Sequence, residues 1–174
     1  MQDRYAGDVG DFGKFGLLRH LCGVTADDKH DRLKPGVIWY RANPGRGEKE
    51  KPHGKFVNYL DESDENDRRF KACDKDLFDA LRDVVARDRT IAALEDAQLL
   101  PGAVYWREDV RHGKKKSTCP RDDWFQDAFK KTAGCDLVFL DPDTGIQCAN
   151  LLPTQGKSRK YVFRDEIGEL IRRG

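Results

Sequence analysis

Apolar residues recur along this chain at two spacings, which sort it into helices and strands. Phe12, Phe15, Leu18 and Cys22 return every three or four residues with Leu17 and Leu21 beside them, which predicts a helix with one apolar face. Asp11 stands where its N-cap is expected, after a polar, glycine-rich lead-in over 1–10. Gly13 and Gly16 lie inside that helix, where each costs about 1 kcal/mol relative to alanine. They call for close approach of a backbone or ligand, or else a distorted helix start. Leu77, Phe78, Leu81, Val84 and Val85 mark a second helix beginning at Asp76, and Thr90 caps a short third over Ile91 to Ala97. Pro120 suits the first turn of a helix whose stripe is Trp124, Phe125, Ala128 and Phe129 and which Gly134 ends. Val162, Phe163, Ile167, Leu170 and Ile171 predict a last helix over Tyr161 to Arg173.

Three shorter runs read as strands: Val37-Ile38-Trp39-Tyr40, Ala103 to Asp109, and Leu137-Val138-Phe139-Leu140. The third is a continuous apolar run suited to a buried parallel strand. Helices alternating with strands predict an α/β fold, a mainly parallel sheet flanked by helices. In open sheets of this kind ligands sit outside the carboxyl ends of the strands. The third strand runs straight into Asp141-Pro142-Asp143-Thr144-Gly145, which makes Asp141, Pro142 and Asp143 site candidates, although the same residues also build an ordinary turn. The first strand exits into Gly45-Arg46-Gly47, a Gly-x-Gly that lets backbone amides approach a cofactor and is equally a common loop. The second ends in Glu108-Asp109. Residues 46–74 are dominated by charged and polar side chains and read as an exposed loop or a flap, relieved only at Phe56 to Leu60. Three strands are few for a doubly wound sheet, and the last helix has no strand after it. We therefore expect a domain shortened after its last strand region, or a sheet completed by a partner chain in a homo-oligomer.

Composition narrows the class. At 174 residues the chain suits one domain spanning 1–174. Hydrophobic residues make up 38% and charged residues 36%, so much of the surface is charged. A net charge of +1 gives no global argument for nucleic acid. A local one exists in Arg111, His112 and Lys114-Lys115-Lys116, close in sequence to Tyr105 and Trp106, which either tracks a phosphate backbone or is a solvated loop. No long apolar run, signal peptide or lipidation motif is present, so a soluble cytoplasmic protein with no membrane partner is expected. The five cysteines form no C-x-x-C pair and read as reduced thiols. The four histidines have no zinc spacing, and no Ser-His or Cys-His arrangement supports covalent catalysis.

Two stretches carry a resemblance. Asp3 to Arg19, containing Gly7-Asp8-Val9-Gly10-Asp11-Phe12-Gly13-Lys14-Phe15-Gly16-Leu17-Leu18-Arg19, together with Val138 to Gly145, is similar to an uncharacterised bacterial protein family. More distantly, the layout resembles the S-adenosylmethionine-dependent adenine-N6 methyltransferases of ribosomal RNA, which are Rossmann-like. Those have an amino-terminal Ala-Gly-Asn-x-x-Asp-x-x-Lys segment, a Gly-x-Gly loop after the first strand, and Asp-Pro-Pro-aromatic after a later one. Ala6 to Lys14 has the shape of the first pattern, Gly45-Arg46-Gly47 of the second, and Asp141-Pro142-Asp143-Thr144 is a broken form of the third. The resemblance implies S-adenosylmethionine as cofactor and nucleic acid as partner. It also implies cofactor-binding roles for Asp8, Asp11, Lys14, Gly45, Gly47 and Asp109, and catalysis by Asp141, Pro142 and Asp143. Asp143 and Thr144 replace the proline and the aromatic, so a stacking platform for a flipped base has to come from Tyr5, Phe12 or Trp106. The first strand is followed by Arg41 and Ala42, not by an acid.

Two other readings use the same residues. A metal-dependent nuclease or phosphohydrolase would hold magnesium on Asp141 and Asp143 with Asp8, Asp11 or Glu108-Asp109, while Lys14 steadies a phosphate. A non-catalytic binding protein would keep the methyltransferase shell and use the acids only to close a turn.

Overall fold

The computed structural model describes residues 2–24, 32–42, 56–111 and 120–173. In chain order they form α1 (Val9–Leu21), β1 (Pro35–Trp39), α2 (Asp64–Asn66), α3 (Lys75–Arg87), α4 (Ile91–Asp96), β2 (Val104–Trp106), α5 (Pro120–Thr132), β3 (Leu137–Asp141), β4 (Gly145–Ile146), β5 (Tyr161–Val162) and α6 (Arg164–Arg173). The class is α/β with a small parallel sheet, as the alternation of elements predicts. The chain divides into two compact units. One holds the sheets (34–42, 103–111, 120–173) and the other is helical (2–24, 32–33, 56–102).

In the sheet unit the strand order is β2-β1-β3, all parallel, with Val37 opposite Tyr105 on one side and Phe139 on the other. Burial follows from that order. The central strand β1 is buried at all five residues, whereas β2 is half-buried throughout and β3 is half-buried from Leu137 to Leu140. The apolar run of β3 therefore does not mark a fully buried strand: among the described residues β3 pairs with β1 alone and is an edge. Alternate residues of β1 point to opposite faces. Ile38 and Tyr40 face a cluster with Val110, Trp124, Phe125, Ala128 and Val162, against which Trp106, Val138, Leu140, Ile167 and Leu170 pack. A Cβ on Gly36 would stand 3.0 Å from Thr132 Cγ2 and 3.1 Å from Cys135 Sγ, so glycine lets the end of α5 lie close against β1. Tyr161 and Val162 do not begin the last helix. They pair with Gly145 and Ile146 as a second, two-stranded parallel ladder, and α6 starts at Arg164.

The helical unit packs α1 and α4 against α3, burying Phe15, Leu18, Leu77, Phe78, Leu81, Ile91 and Leu94. α1 begins earlier than its apolar pattern suggests. Asp8, not Asp11, is the N-cap, and its carboxylate accepts from Asp11 N at 3.1 Å. Thr90 caps α4 as expected, accepting from Ala93 N, and α3 starts at Lys75, one residue before the expected start, capped by Asp74. Arg19 is enclosed, its guanidinium bonding both Asp74 oxygens (2.7 and 3.3 Å) and Leu99 O (2.9 Å). Of the polar stretch 46–74, residues 46–55 lie outside the described residues. The remainder carries 3-10 and π-helical turns around α2.

Candidate functional site

The carboxyl ends of the three parallel strands carry the chemistry that the sequence singles out. Parallel hydrogen bonding aligns Trp39 with Asp141, and beyond the strands a bridge joins Arg41 to Asp109. β1 thus ends between two acidic strand exits. Tyr40 N donates to Asp141 O at 3.3 Å and Val110 N donates to Arg41 O at 2.9 Å, so the backbone continues both pairings past the ladder. Arg41 Nε lies 3.7 Å from an Asp109 oxygen, with the aspartate side chain 45% exposed, and Arg41 Nη1 donates to Arg107 O at 3.3 Å. Asp141 is only 3% exposed, while Pro142 and Asp143 are half-buried and Thr144 is exposed. With two strand spacings between them and a two-residue offset along the strands, Asp109 and Asp141 stand about 12 Å apart. An extended ligand spans such a distance.

Gly145 turns the loop after the acids. Its φ of +118° lies where L side chains are strained, which is the local reason for a glycine there. From it the chain enters β4, with Thr144 N donating to Lys160 O at 2.9 Å and Gln147 N to Val162 O at 2.9 Å. The basic turn Gly156–Lys160 leads directly into β5.

A buried network stands behind this loop. Arg121 Nε donates to Glu166 Oε1 at 2.7 Å and Nη2 to Oε2 at 3.0 Å. The remaining donors reach Ser158 O (3.0 Å) and Tyr161 O (2.6 Å). Glu166 Oε2 also accepts from the Tyr40 hydroxyl at 3.1 Å and from Phe163 N at 2.7 Å, the second being the returning half of a capping box at the start of α6. Burial first, and then the Glu166 charge, push the Tyr40 phenol well above its ordinary value. Nothing in the apolar pattern points to Arg121 or Glu166, and the sequence carries one local signal for the pair. Arginine as the second residue of a helix opposes the macrodipole, and α5 otherwise opens with Asp122 and Asp123. Such a local mismatch marks a side chain chosen for a tertiary partner.

Asp8, Asp11 and Lys14 belong to the helical unit. Asp11 is 1% exposed and faces inward, accepting from Gly7 N at 2.9 Å and from Lys14 Nζ at 3.2 Å. Gly7 has φ +73°, and a Cβ there would meet Val85 Cγ2 at 2.5 Å. The Tyr59 hydroxyl donates to Gly7 O at 3.1 Å. Burial, then the Asp11 and Asp8 charges, raise its phenol. The Gly7-Asp8-x-x-Asp11 motif thus has a structural duty, folding the entry of α1 onto α3. Of the candidate stacking aromatics, Phe12 is packed with Tyr59 and Phe70 (ring centroids 5.5 and 5.8 Å apart) and Trp106 packs on the sheet-unit core. Arg4 lies over the Tyr5 ring at 5.1 Å.

Gly45, Gly47 and the basic stretch 112–118 lie outside the described residues. Among the described residues no three His, Cys, Asp or Glu side chains gather as a metal site, and no helix is long and apolar enough to cross a membrane. No family model matches the chain, and neither do curated proteins or solved structures.

Proposed function

We propose that the sheet unit is a Rossmann-like methyl-transfer module that binds S-adenosylmethionine and methylates the N6 amine of adenine in nucleic acid. The observation that carries this reading is the strand order β2-β1-β3. The acid-ended strand, the strand leading to Gly45-Arg46-Gly47 and the Asp-Pro-Asp strand lie side by side and parallel, with their carboxyl ends together. The chain steps from β1 to β2 on one side and then returns to β3 on the other, and such a reversal of strand order is where open α/β sheets take their ligands.

The residues fit the group. Asp109, half-exposed beside Arg41, suits the hydroxyls of a ribose. When bound, the cofactor supplies an electrophilic methyl group on a sulfonium. Everything else falls to the chain. The Asp141 carboxylate and the Pro142 carbonyl accept hydrogen bonds from the N–H groups of the amine, orient its lone pair and offset the positive charge that develops on nitrogen, which then releases one proton to solvent. Arg159 and Lys160, in the turn that pairs with Thr144, supply positive charge for a phosphate backbone beside the loop.

Calorimetric titration tests the reading. S-adenosylmethionine is expected to bind the wild-type protein, and Asp109→Ala to weaken it about 10-fold, the loss of one charged hydrogen-bond partner. Asp141→Ala is expected to keep cofactor binding and to abolish methyl transfer to an adenine-containing oligonucleotide. Heat from magnesium or manganese with none from S-adenosylmethionine would move the site to metal-dependent phosphoester hydrolysis by Asp141 and Asp143. Silence with both leaves a binding protein with a methyltransferase shell.

A further inference from the structure

The Asp141 to Gly145 loop contains no apolar anchor of its own beyond Pro142, and its Thr144 is exposed. Hydrogen bonds hold its two ends, and both ends lead to one ion pair. At the entrance, Tyr40 N donates to Asp141 O at 3.3 Å while the Tyr40 hydroxyl donates to Glu166 Oε2 at 3.1 Å. At the exit, Thr144 N donates to Lys160 O, Gly145 pairs with Tyr161 and Ile146 with Val162. That partner segment is held in turn by Arg121, through Ser158 O at 3.0 Å and Tyr161 O at 2.6 Å. Arg121 and Glu166 are themselves only 3% and 9% exposed in their side chains.

We propose that Arg121 and Glu166 are positioning residues for the Asp141-Pro142-Asp143 site, a buried clamp that sets the loop's entrance and exit relative to each other. Only a planar fork does this. Guanidinium donors leave in fixed directions, so one side chain meets a carboxylate and two carbonyls at once, whereas a lysine ammonium is a single point of charge on a flexible stem. A buried ion pair contributes little net stability against an apolar replacement, because desolvation offsets the attraction. What it imposes is an arrangement. The Arg121 guanidinium carbon also lies 4.2 Å from the Phe163 ring centroid and 5.7 Å from that of Tyr40, so aromatic faces fix the plane of the fork.

The proposal rests on the methyltransferase reading only for what the positioned loop does. Its test therefore begins without a ligand, as residue-resolved amide hydrogen exchange on the full chain of wild type, Arg121→Lys and the double variant Arg121→Met with Glu166→Gln. The lysine variant keeps the charge and loses the fork. The double variant removes both buried charges, so that no uncompensated ion burdens folding. Exchange at Thr144 and Gln147 is expected to rise about 10-fold or more in both variants, with the β1–β2 ladder unchanged. Wild-type rates at Thr144 and Gln147 in both variants would overturn the clamp. So would an equal rise across the β1–β2 ladder, which would make the pair a general stabiliser. In a methylation assay Arg121→Lys is expected to lower kcat about 10-fold with the KM for S-adenosylmethionine unchanged, the signature of a misplaced acceptor site. Wild-type protein that takes up no S-adenosylmethionine breaks the methyltransferase reading and leaves the exchange result to decide the clamp.

Discussion

In the helical unit Arg19 leaves α1, forks onto Asp74 and reaches Leu99 O; in the sheet unit Arg121 leaves α5, forks onto Glu166 and reaches Ser158 O and Tyr161 O. The plan is the same in both. Each carboxylate also serves a helix start, Asp74 accepting from Leu77 N and Glu166 from Phe163 N, so one anion answers a guanidinium and backbone donors together. The difference lies in what the bonded carbonyls belong to. Leu99 is a buried core residue, and the Arg19 fork gathers α1, α3 and a turn around an apolar interior. Ser158 and Tyr161 belong to the segment that pairs with the exit of the Asp-Pro-Asp loop. The same chemistry serves packing in one unit and the geometry of a candidate site in the other, and topology alone distinguishes them.

Breaking each fork sharpens the contrast. Arg121→Met strands Glu166 in the interior and is expected to destabilise by about 3–5 kcal/mol in denaturant unfolding, most of it recovered when Glu166→Gln is added. Arg19→Met leaves Asp74 partly solvated and still capping α3, so about 1–3 kcal/mol is expected, with no change in exchange at Thr144. Equal losses in the two single variants, or a double variant no more stable than Arg121→Met, would erase the distinction.

A smaller effect separates Tyr40 from the ion pair it contacts. Tyr40→Phe removes one hydrogen bond to a charged acceptor and is expected to cost about 1.5–2 kcal/mol at neutral pH. The folded protein holds the Tyr40 proton more tightly than the unfolded chain does, because burial and the Glu166 charge raise its phenol. That stability is fully present below about pH 10, the ordinary tyrosine value, and is lost as pH rises beyond it toward the folded value. Tyr59 is raised in the same direction and contributes a parallel loss in the helical unit. Denaturant midpoints followed from about pH 8 to 11 should fall less steeply in Tyr40→Phe than in wild type. Identical profiles would remove Tyr40 from the alkaline transition.

Smallest of all is Gly13→Ala, expected to stabilise by about 1 kcal/mol, since a Cβ there meets nothing within 4 Å. At Gly16 an added Cβ would make only an ordinary contact, 3.7 Å from Leu77 Cδ2. Neither glycine is required by packing. Loss of S-adenosylmethionine or oligonucleotide binding in a more stable Gly13→Ala would locate a ligand at the face of α1, and unchanged binding would exclude one there.

By itself the sequence determined what depends on near neighbours. The three parallel strands, the apolar faces of α1, α3 and α5, the Thr90 cap and the Asp141-Pro142-Asp143 exit were all legible, because periodicity and turn chemistry act within a few residues. Tertiary structure decided whatever depends on a partner distant in the chain. Asp8 and Asp11 are both plausible caps by type; Asp11 is drawn inward by Gly7 N, at a glycine whose φ is positive and which packs on α3. Tyr161 and Val162 continue a helical pattern, yet they are a strand because Gly145 and Ile146 lie alongside. The run Leu137 to Leu140 looks fully buried, and only the order β2-β1-β3 makes it an edge. Arg121 shows the reason most directly. Its local preference is poor for a helix start, and its burial becomes favourable only where Glu166, 45 residues further along, brings a countercharge and a second helix to meet it.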